Sequence, residues 1–212
     1  MTTVTSIEHT NVYETYGQIS NHFDKTRHHV WPCVSDFLDS LSSGSTLLEI
    51  GCGNGKNMNI RQDVIFKGID LSDELVKICN NKGLDVIESS MTSLPFPDNS
   101  FDAFLAVASY HHLSNDDLRK QALNEMYRVL KDGGKGLIVV WALEQPDDST
   151  FDFKVKDEKV KWTCRLTGKT FWRYYHIYQD GDLINEINQL EPRFKIEKNG
   201  WEKGNWYIHL VK

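Results

Sequence analysis

Seven consecutive residues, Glu49-Ile50-Gly51-Cys52-Gly53-Asn54-Gly55, place glycine at every second position from Gly51, directly after the apolar stretch TLLEI. Asp70 follows Gly51 by 19 residues and closes a second apolar stretch, VIFKGID. Glycines spaced this way let a backbone turn sharply and come close to a ligand. A carboxylate at the end of the next strand can accept hydrogen bonds from both hydroxyls of a ribose. The spacing is GxGxG, whereas a loop that seats a pyrophosphate on a helix N-terminus prefers GxGxxG. Glu49, two residues ahead of the first glycine, would repel a pyrophosphate and suits a ligand with a cationic amine.

Two other stretches concentrate cations. FDKTRHHVWP, Phe23 to Pro32, sets Lys25, Arg27, His28 and His29 between Phe23 and Trp31. Between Lys154 and Arg173 there are seven basic residues and two acidic ones. Both interrupt an acidic chain: net charge is −6, made of −9 over residues 1–150 and +3 over residues 151–212. A basic run is most often a solvated loop, and its sharper reading is a phosphate-facing patch on an acidic body. His111 and His112 form a pair with no third ligand nearby, which is poor support for zinc. Cys33, Cys52, Cys79 and Cys164 lie far apart with no CxxC, against a disulfide framework or structural zinc. The expectation is a reduced, intracellular protein without a metal, and cytoplasmic or nuclear residence.

The elements that must hold these residues follow from periodicity. Residues 13–23 and 30–42 have helical spacing, the second with Val30, Val34, Phe37, Leu38 and Leu41 on one face. Apolar strands are expected at TLLEI, VIFKGID, LDVIES, FDAFLAVASY and KGLIVVWAL. Between them, SDELVKICNNKG is a helix capped by Ser72 with Gly83 beyond its end, and SNDDLRKQALNEMYRVLKDGG a long helix capped by Ser114 and closed at Gly133-Gly134. Strands alternating with helices imply a parallel sheet covered on both faces. After Gln145 the chain reads as a long connection, then a helix at LINEINQL, then two runs joined at Lys203-Gly204 as an antiparallel hairpin. At 212 residues this is one domain, 1–212, with residues 1–43 as a helical cap and 146–178 as a connecting insertion. No apolar run approaches the ~20 residues of a membrane helix, and the polar N-terminus has no secretory h-region.

The glycine loop with Glu49 resembles motif I of the class I methyltransferases, which bind S-adenosylmethionine. MTSLPFPDNSFDAFLAV is similar to the segment those enzymes use to cover the adenine. The resemblance implies an α/β, Rossmann-like fold, with a mostly parallel seven-stranded sheet, a C-terminal antiparallel hairpin and helices on both faces. It implies cofactor contacts from Glu49, Gly51, Gly53, Gly55, Asp70, Ser90, Met91 and Ala106. Ser90 departs from the pattern, because the family usually has an acidic residue there. FDKTRHHVWP, VASYHHL, VVWALEQ, FWRYYHIYQDGDL and GNWYIHLV together resemble the eukaryotic tRNA wobble-uridine carboxymethyl methyltransferases over nearly the whole chain. Those enzymes esterify the carboxylate of 5-carboxymethyluridine in the anticodon.

A carboxylic acid of pKa about 4 is ionised at neutral pH, so its oxygen needs no general base. The site must instead dehydrate the anion and fix its direction, which a bidentate guanidinium does. Arg27 is the first candidate for that fork and Arg173 the second, with hydrogen bonds from His28, His111 and His176. Tyr175 or Trp172 could stack on the uracil, and Trp31 could line the site. Arg27 could instead pair with Asp24, Trp31 could simply pack a helix start, and the tyrosines 174, 175 and 178 could be core. The resemblance also implies a small zinc-binding activator protein that adds a strand at the LDVIES edge. Two rivals remain: a small-molecule methyltransferase of the quinone or sterol type, and a non-catalytic RNA-binding protein that keeps the fold.

Overall fold

The structure is a computed structural model that describes residues 5–164, 167–192 and 194–212. Helix α1 (Ser6–Glu8) runs through a π-helical turn into α2 (Glu14–Asp24), and α3 (Pro32–Asp39) follows. The sheet strands are β1 (Thr46–Ile50), β2 (Ile65–Asp70), β3 (Val86–Glu88), β4 (Phe101–Val107) and β5 (Leu130–Trp141), with α4 (Asp73–Asn81) and α5 (Asp116–Val129) as crossovers. Then come β6 (Asp157–Thr163), β7 (Thr170–His176), α6 (Asp182–Asn188), β8 (Lys195–Glu202) and β9 (Asn205–Val211). The seven-stranded sheet has the order β3-β2-β1-β4-β5-β9-β8, parallel from β3 to β5 and antiparallel at β9 and β8.

Alternation along the central strands sends residues to two cores. Leu48, Ile50, Phe104, Ile138 and Val140 pack under α5 and α6 against Leu118, Leu123, Met126, Leu183 and Ile187. Leu47, Ala103, Leu105, Leu137 and Val139 face the other way, against Val34, Phe37 and Leu38 of α3. Both faces are therefore covered, which is why these strands read as continuous apolar runs. Gly136 of β5 leaves room for the Phe104 ring: a Cβ there would lie 2.2 Å from it. Gly136→Ala is expected to cost about 1–3 kcal/mol, read as a lower urea midpoint at unchanged slope.

Four local expectations need correction. Helix α5 is capped by Asn115, whose side chain accepts from the Leu118 N–H at 2.9 Å. Ser114 is drawn off by Glu8, whose Oε1 accepts from both its N–H and its hydroxyl. The same helix ends at Val129, and the Lys131–Gly134 stretch already belongs to β5. Strand β3 is three residues long, not six. The connection after Gln145 holds an antiparallel ribbon, β6–β7, with Val160, Trp162 and Cys164 buried. The Lys203-Gly204 turn is as expected, both residues having positive φ (47° and 78°), the geometry of a two-residue hairpin. Arg165, one of the seven basic residues of the run, lies outside the described residues.

Candidate functional site

The C-terminal ends of β1, β2 and β4 open into a cavity of about 400 Å³. Such a crevice is where open α/β sheets bind ligands. Gly51 (φ 69°) and Gly53 (φ 58°) form its floor in a backbone conformation that other residues adopt only with strain. Asp70 sits across the loop, accepting from the Gly53 N–H at 2.8 Å and the Ser72 N–H at 2.9 Å. Glu49 is 2% exposed; its Oε1 accepts from Asn57 at 2.6 Å, while its Oε2 has no partner among the described residues. Burial pushes Glu49 up to about 7 and Asp70 up to about 6. A buried carboxylate oxygen with no donor is what a cationic ligand would satisfy. Ser90 and Met91 line the same end, but the Ser90 hydroxyl is engaged by Thr92 at 2.8 Å.

Not every expected contact is there. A Cβ on Gly55 would strike Leu84 and Cys79, so that glycine serves the packing of the loop on α4 and does not line the cavity. Ala106 is buried inside the sheet, and the lip after β4 is made by Val107, Ala108 and Ser109 instead. Ala108 has φ 54°, an unusual value for a residue with a side chain. Ser109 anchors that lip by donating to the Ile50 carbonyl at 2.6 Å.

The loop's own polar side chains hold the FDKTRHHVWP turn in place over it. Asn54 donates to the Arg27 carbonyl at 2.9 Å and to the Asp24 carboxylate at 3.1 Å. Lys56 donates to the His29 carbonyl at 2.9 Å and lies over the Trp31 ring. Asp24 is also paired with Lys82 and makes no ion pair with Arg27. Arg27 is half-buried, with its guanidinium carbon 4.8 Å from the Trp162 ring centre and 5.6 Å from that of Phe23. Trp31 and His28 reach the cavity, although the exposed His28 ring is turned back to the Lys25 carbonyl.

Arg173 closes the opposite wall. It is 3% exposed, lies 4.9 Å from the same Trp162 ring, and donates to the Tyr175 hydroxyl at 2.6 Å. Its Nε and the Trp162 Nε1 have no partner among the described residues. Neither arginine has a carboxylate partner there. The hydroxyls continue as a chain: Tyr175 meets Tyr16 at 3.3 Å, and Tyr16 meets His112 Nε2 at 3.0 Å. His112 Nδ1 lies 2.7 Å from the Tyr174 carbonyl and must carry the proton, so Nε2 accepts from Tyr16. Burial pushes His112 down to about 3, so the ring is neutral.

The structure thus brings together Arg27, Arg173, Tyr175, Trp31 and His28, and adds Tyr16 and His112; Trp162 backs both guanidinium groups without lining the cavity itself. It does not bring in the other two histidines. His111 is fully buried and absent from the cavity wall; its Nδ1 accepts from the Trp141 N–H at 3.1 Å and its ring packs on Tyr175. Burial also holds it well below its usual pKa, so it brings no charge. His176 ends β7 outside the cavity wall, 2.9 Å from Asp157 and edge-on to Tyr178. Trp172 is 49% exposed on the outer side of β7 and does not line the cavity. Tyr16 repeats on a helical face with Phe23, a spacing that marks a packed side chain. No group of three metal-ligating side chains occurs among the described residues.

A family described as "Methyltransferase domain" matches residues 48–138. The tRNA (carboxymethyluridine(34)-5-O)-methyltransferase of Schizosaccharomyces pombe is 37% identical over 97% of this chain and 99% of its own length. The Arabidopsis thaliana protein of the same name is 43% identical over 74% of this chain, a match that spans 37% of that longer protein. Among solved structures, a DhpI-SAM-HEP complex superposes with a TM-score of 0.75 at 17% identity, covering 99% of this chain and all of the other. A putative methyltransferase in complex with the Haloferax volcanii Trm112 methyltransferase activator gives 0.67 at 15% identity, over 94% of this chain and 96% of the other. At these identities the structural likeness shows the fold.

Proposed function

This chain belongs to the tRNA (carboxymethyluridine34-5-O)-methyltransferase family and depends on S-adenosylmethionine, and we propose that its paired guanidinium groups hold the acid it esterifies. The acceptor is the carboxylate of 5-carboxymethyluridine at the tRNA wobble position, and the product is the methyl ester. When bound, the cofactor supplies a methyl group on a positively charged sulfur. The observation that carries the reading is that Arg27 and Arg173 converge on Trp162 with no carboxylate partner among the described residues.

Buried Arg173 and half-buried Arg27 repel one another, and an anion held by both relieves the repulsion. Arg173 is fixed by Tyr175 and Tyr16, so its fork is preorganised and does not have to be ordered by the substrate. Arg173 lines the cavity and its Nε–H has no partner among the described residues, so it is a further donor for a carboxylate oxygen. His112 and His111 are neutral and aim no base at the site, as suits an acceptor that is already ionised. Catalysis then rests on alignment and on a dry environment in which opposite charges disperse. A quinone or sterol acceptor would leave both guanidinium groups unpaired. Residues 5–31 supply Tyr16, Phe23, Arg27, His28 and Trp31 to the cavity, in keeping with a cap over the substrate.

At the other end, Glu49, Asp70, Gly51, Gly53, Ser90 and Met91 would hold the cofactor, the two acids toward its cationic amine and ribose. Both acids are pushed up by burial, so the native ligand-free protein keeps protons that the unfolded chain has lost. Its stability therefore falls as pH rises from about 4 to about 7. A cationic ligand favours the ionised acids, so its affinity runs the other way. Between pH 6 and pH 8, S-adenosylmethionine is expected to bind about tenfold more tightly, with an ordinary level response in Glu49→Gln; calorimetry at fixed ionic strength reads both.

The short edge strand β3 pairs with β2 on one side and leaves Ile87 exposed, and its other side offers an edge for a partner strand. We assign this edge to a methyltransferase activator protein, in keeping with the Trm112 activator complex of the Haloferax volcanii neighbour. No helix among the described residues is long and apolar enough to cross a membrane; a tRNA substrate is in keeping with the expected cytoplasmic or nuclear residence. Transfer assays test the acceptor: tRNA carrying 5-carboxymethyluridine should gain one methyl that mild alkali removes. Methylation of a ring or ribose atom, stable to alkali, would sink the assignment.

A further inference from the structure

The β6–β7 ribbon has two faces, and the cavity uses one of them. Val160, paired with Arg173, and Trp162, paired with Phe171, alternate with Lys159, Lys161 and Thr163, which pair with Tyr174, Trp172 and Thr170. Strand alternation sends the second set to the other face, where Tyr174 is buried against Asp157 and the rest are exposed. Lys159 and Lys161 are exposed, and Trp172, directly across from Lys161, is the large exposed apolar side chain of the ribbon. Among the described residues Lys159, Lys161 and Lys169 make no ion pair. The acids within reach are occupied: Asp157 by Tyr174 and His176, Glu158 by the backbone N–H groups of Lys154 and Val155. The Trp172 carbonyl accepts from Asn11 at 3.3 Å and Thr15 at 3.4 Å, which fixes the strand beneath the indole.

We propose that this outer face binds the single-stranded RNA beside the acceptor nucleotide, with Trp172 stacking on a base and Lys159 and Lys161 meeting the flanking phosphates. The inference rests on tRNA being the substrate. An indole set among lysines without acidic partners is the chemistry of a single-strand platform, stacking plus a backbone track. Elsewhere the chain is acidic, −9 over residues 1–150, so the ribbon sets the direction of approach. The next residue along β7, Arg173, points through the ribbon into the cavity, about 3.3 Å further along the strand. A nucleotide held by Arg173 and its neighbour on Trp172 therefore sit on two sides of one strand. Stacking tolerates any base, so this face would add affinity without selecting the neighbouring sequence.

The test uses an anticodon stem-loop RNA bearing 5-carboxymethyluridine and, separately, the free nucleoside. Trp172→Ala should weaken RNA binding about 5- to 100-fold, and Lys159→Ala with Lys161→Ala should lower the salt slope by about one to two. Neither should alter cofactor affinity, thermal midpoint or transfer to the free nucleoside. Wild-type protein that methylates the RNA, with unchanged RNA affinity and salt slope in every variant, overturns this inference alone. Wild-type protein that binds no RNA at any salt overturns the substrate assignment along with it.

Discussion

Arg173→Ala is expected to lower methyl transfer to 5-carboxymethyluridine about 10³-fold while S-adenosylmethionine affinity stays within about a factor of two. The guanidinium is 3% exposed and already held by Tyr175, so an anion that meets it is desolvated and oriented at once. Without it, the more exposed Arg27 remains, and the acid must shed water with less in return. Arg173→Lys keeps the charge but not the fork, and should recover only part of the rate. Arg27→Ala should cost less, about 10- to 100-fold, because solvent screens a half-buried cation. Single-turnover rates with saturating cofactor separate these effects from binding. Equal losses of rate and of cofactor affinity would mean that Arg173 supports the fold and not the acceptor.

Gly51→Ala should abolish measurable cofactor binding, a loss of at least about 100-fold. Its φ of 69° strains any residue with a Cβ, and that Cβ would lie 2.4 Å from the Ser109 side chain. Ser109 cannot step aside without breaking its 2.6 Å bond to the Ile50 carbonyl. The lip and the floor of the cavity would move apart together. Gly44→Ala is the control: its φ is 81° but a Cβ there meets nothing within 4 Å, so it should cost stability and leave binding alone.

The contrast between the two ends of the cavity explains what could be read from the chain. The cofactor end is local: strand, glycine loop and Asp70 lie within a short stretch, and backbone conformation demands glycine at Gly51 and Gly53. The acceptor end is assembled from α2, the turn after it and the ribbon, and periodicity says little about such meetings. Arg27 and Arg173 were legible because the resemblance implies an ionised acid as acceptor, and each stands in a distinctive aromatic-rich stretch that could supply a guanidinium fork. Trp162 was missed although EKVKWTC alternates with period two, the signature of a half-buried strand. His111 and His112 are adjacent, and only the single turn of 3-10 helix at Tyr110–His112 decides that the second reaches the cavity. Ser114 lost its cap to Asn115 because a tertiary partner, Glu8, claimed it first.

The central claim is that two guanidinium groups, and no base, recruit the acid. Its most direct measurement compares anticodon stem-loops bearing 5-carboxymethyluridine and the uncharged 5-carbamoylmethyluridine, bound with S-adenosylhomocysteine present. Wild-type protein should prefer the acid at least about tenfold, and Arg173→Ala with Arg27→Ala should erase the preference. Equal affinity for acid and amide in the wild type, or a preference that survives loss of both arginines, would contradict it.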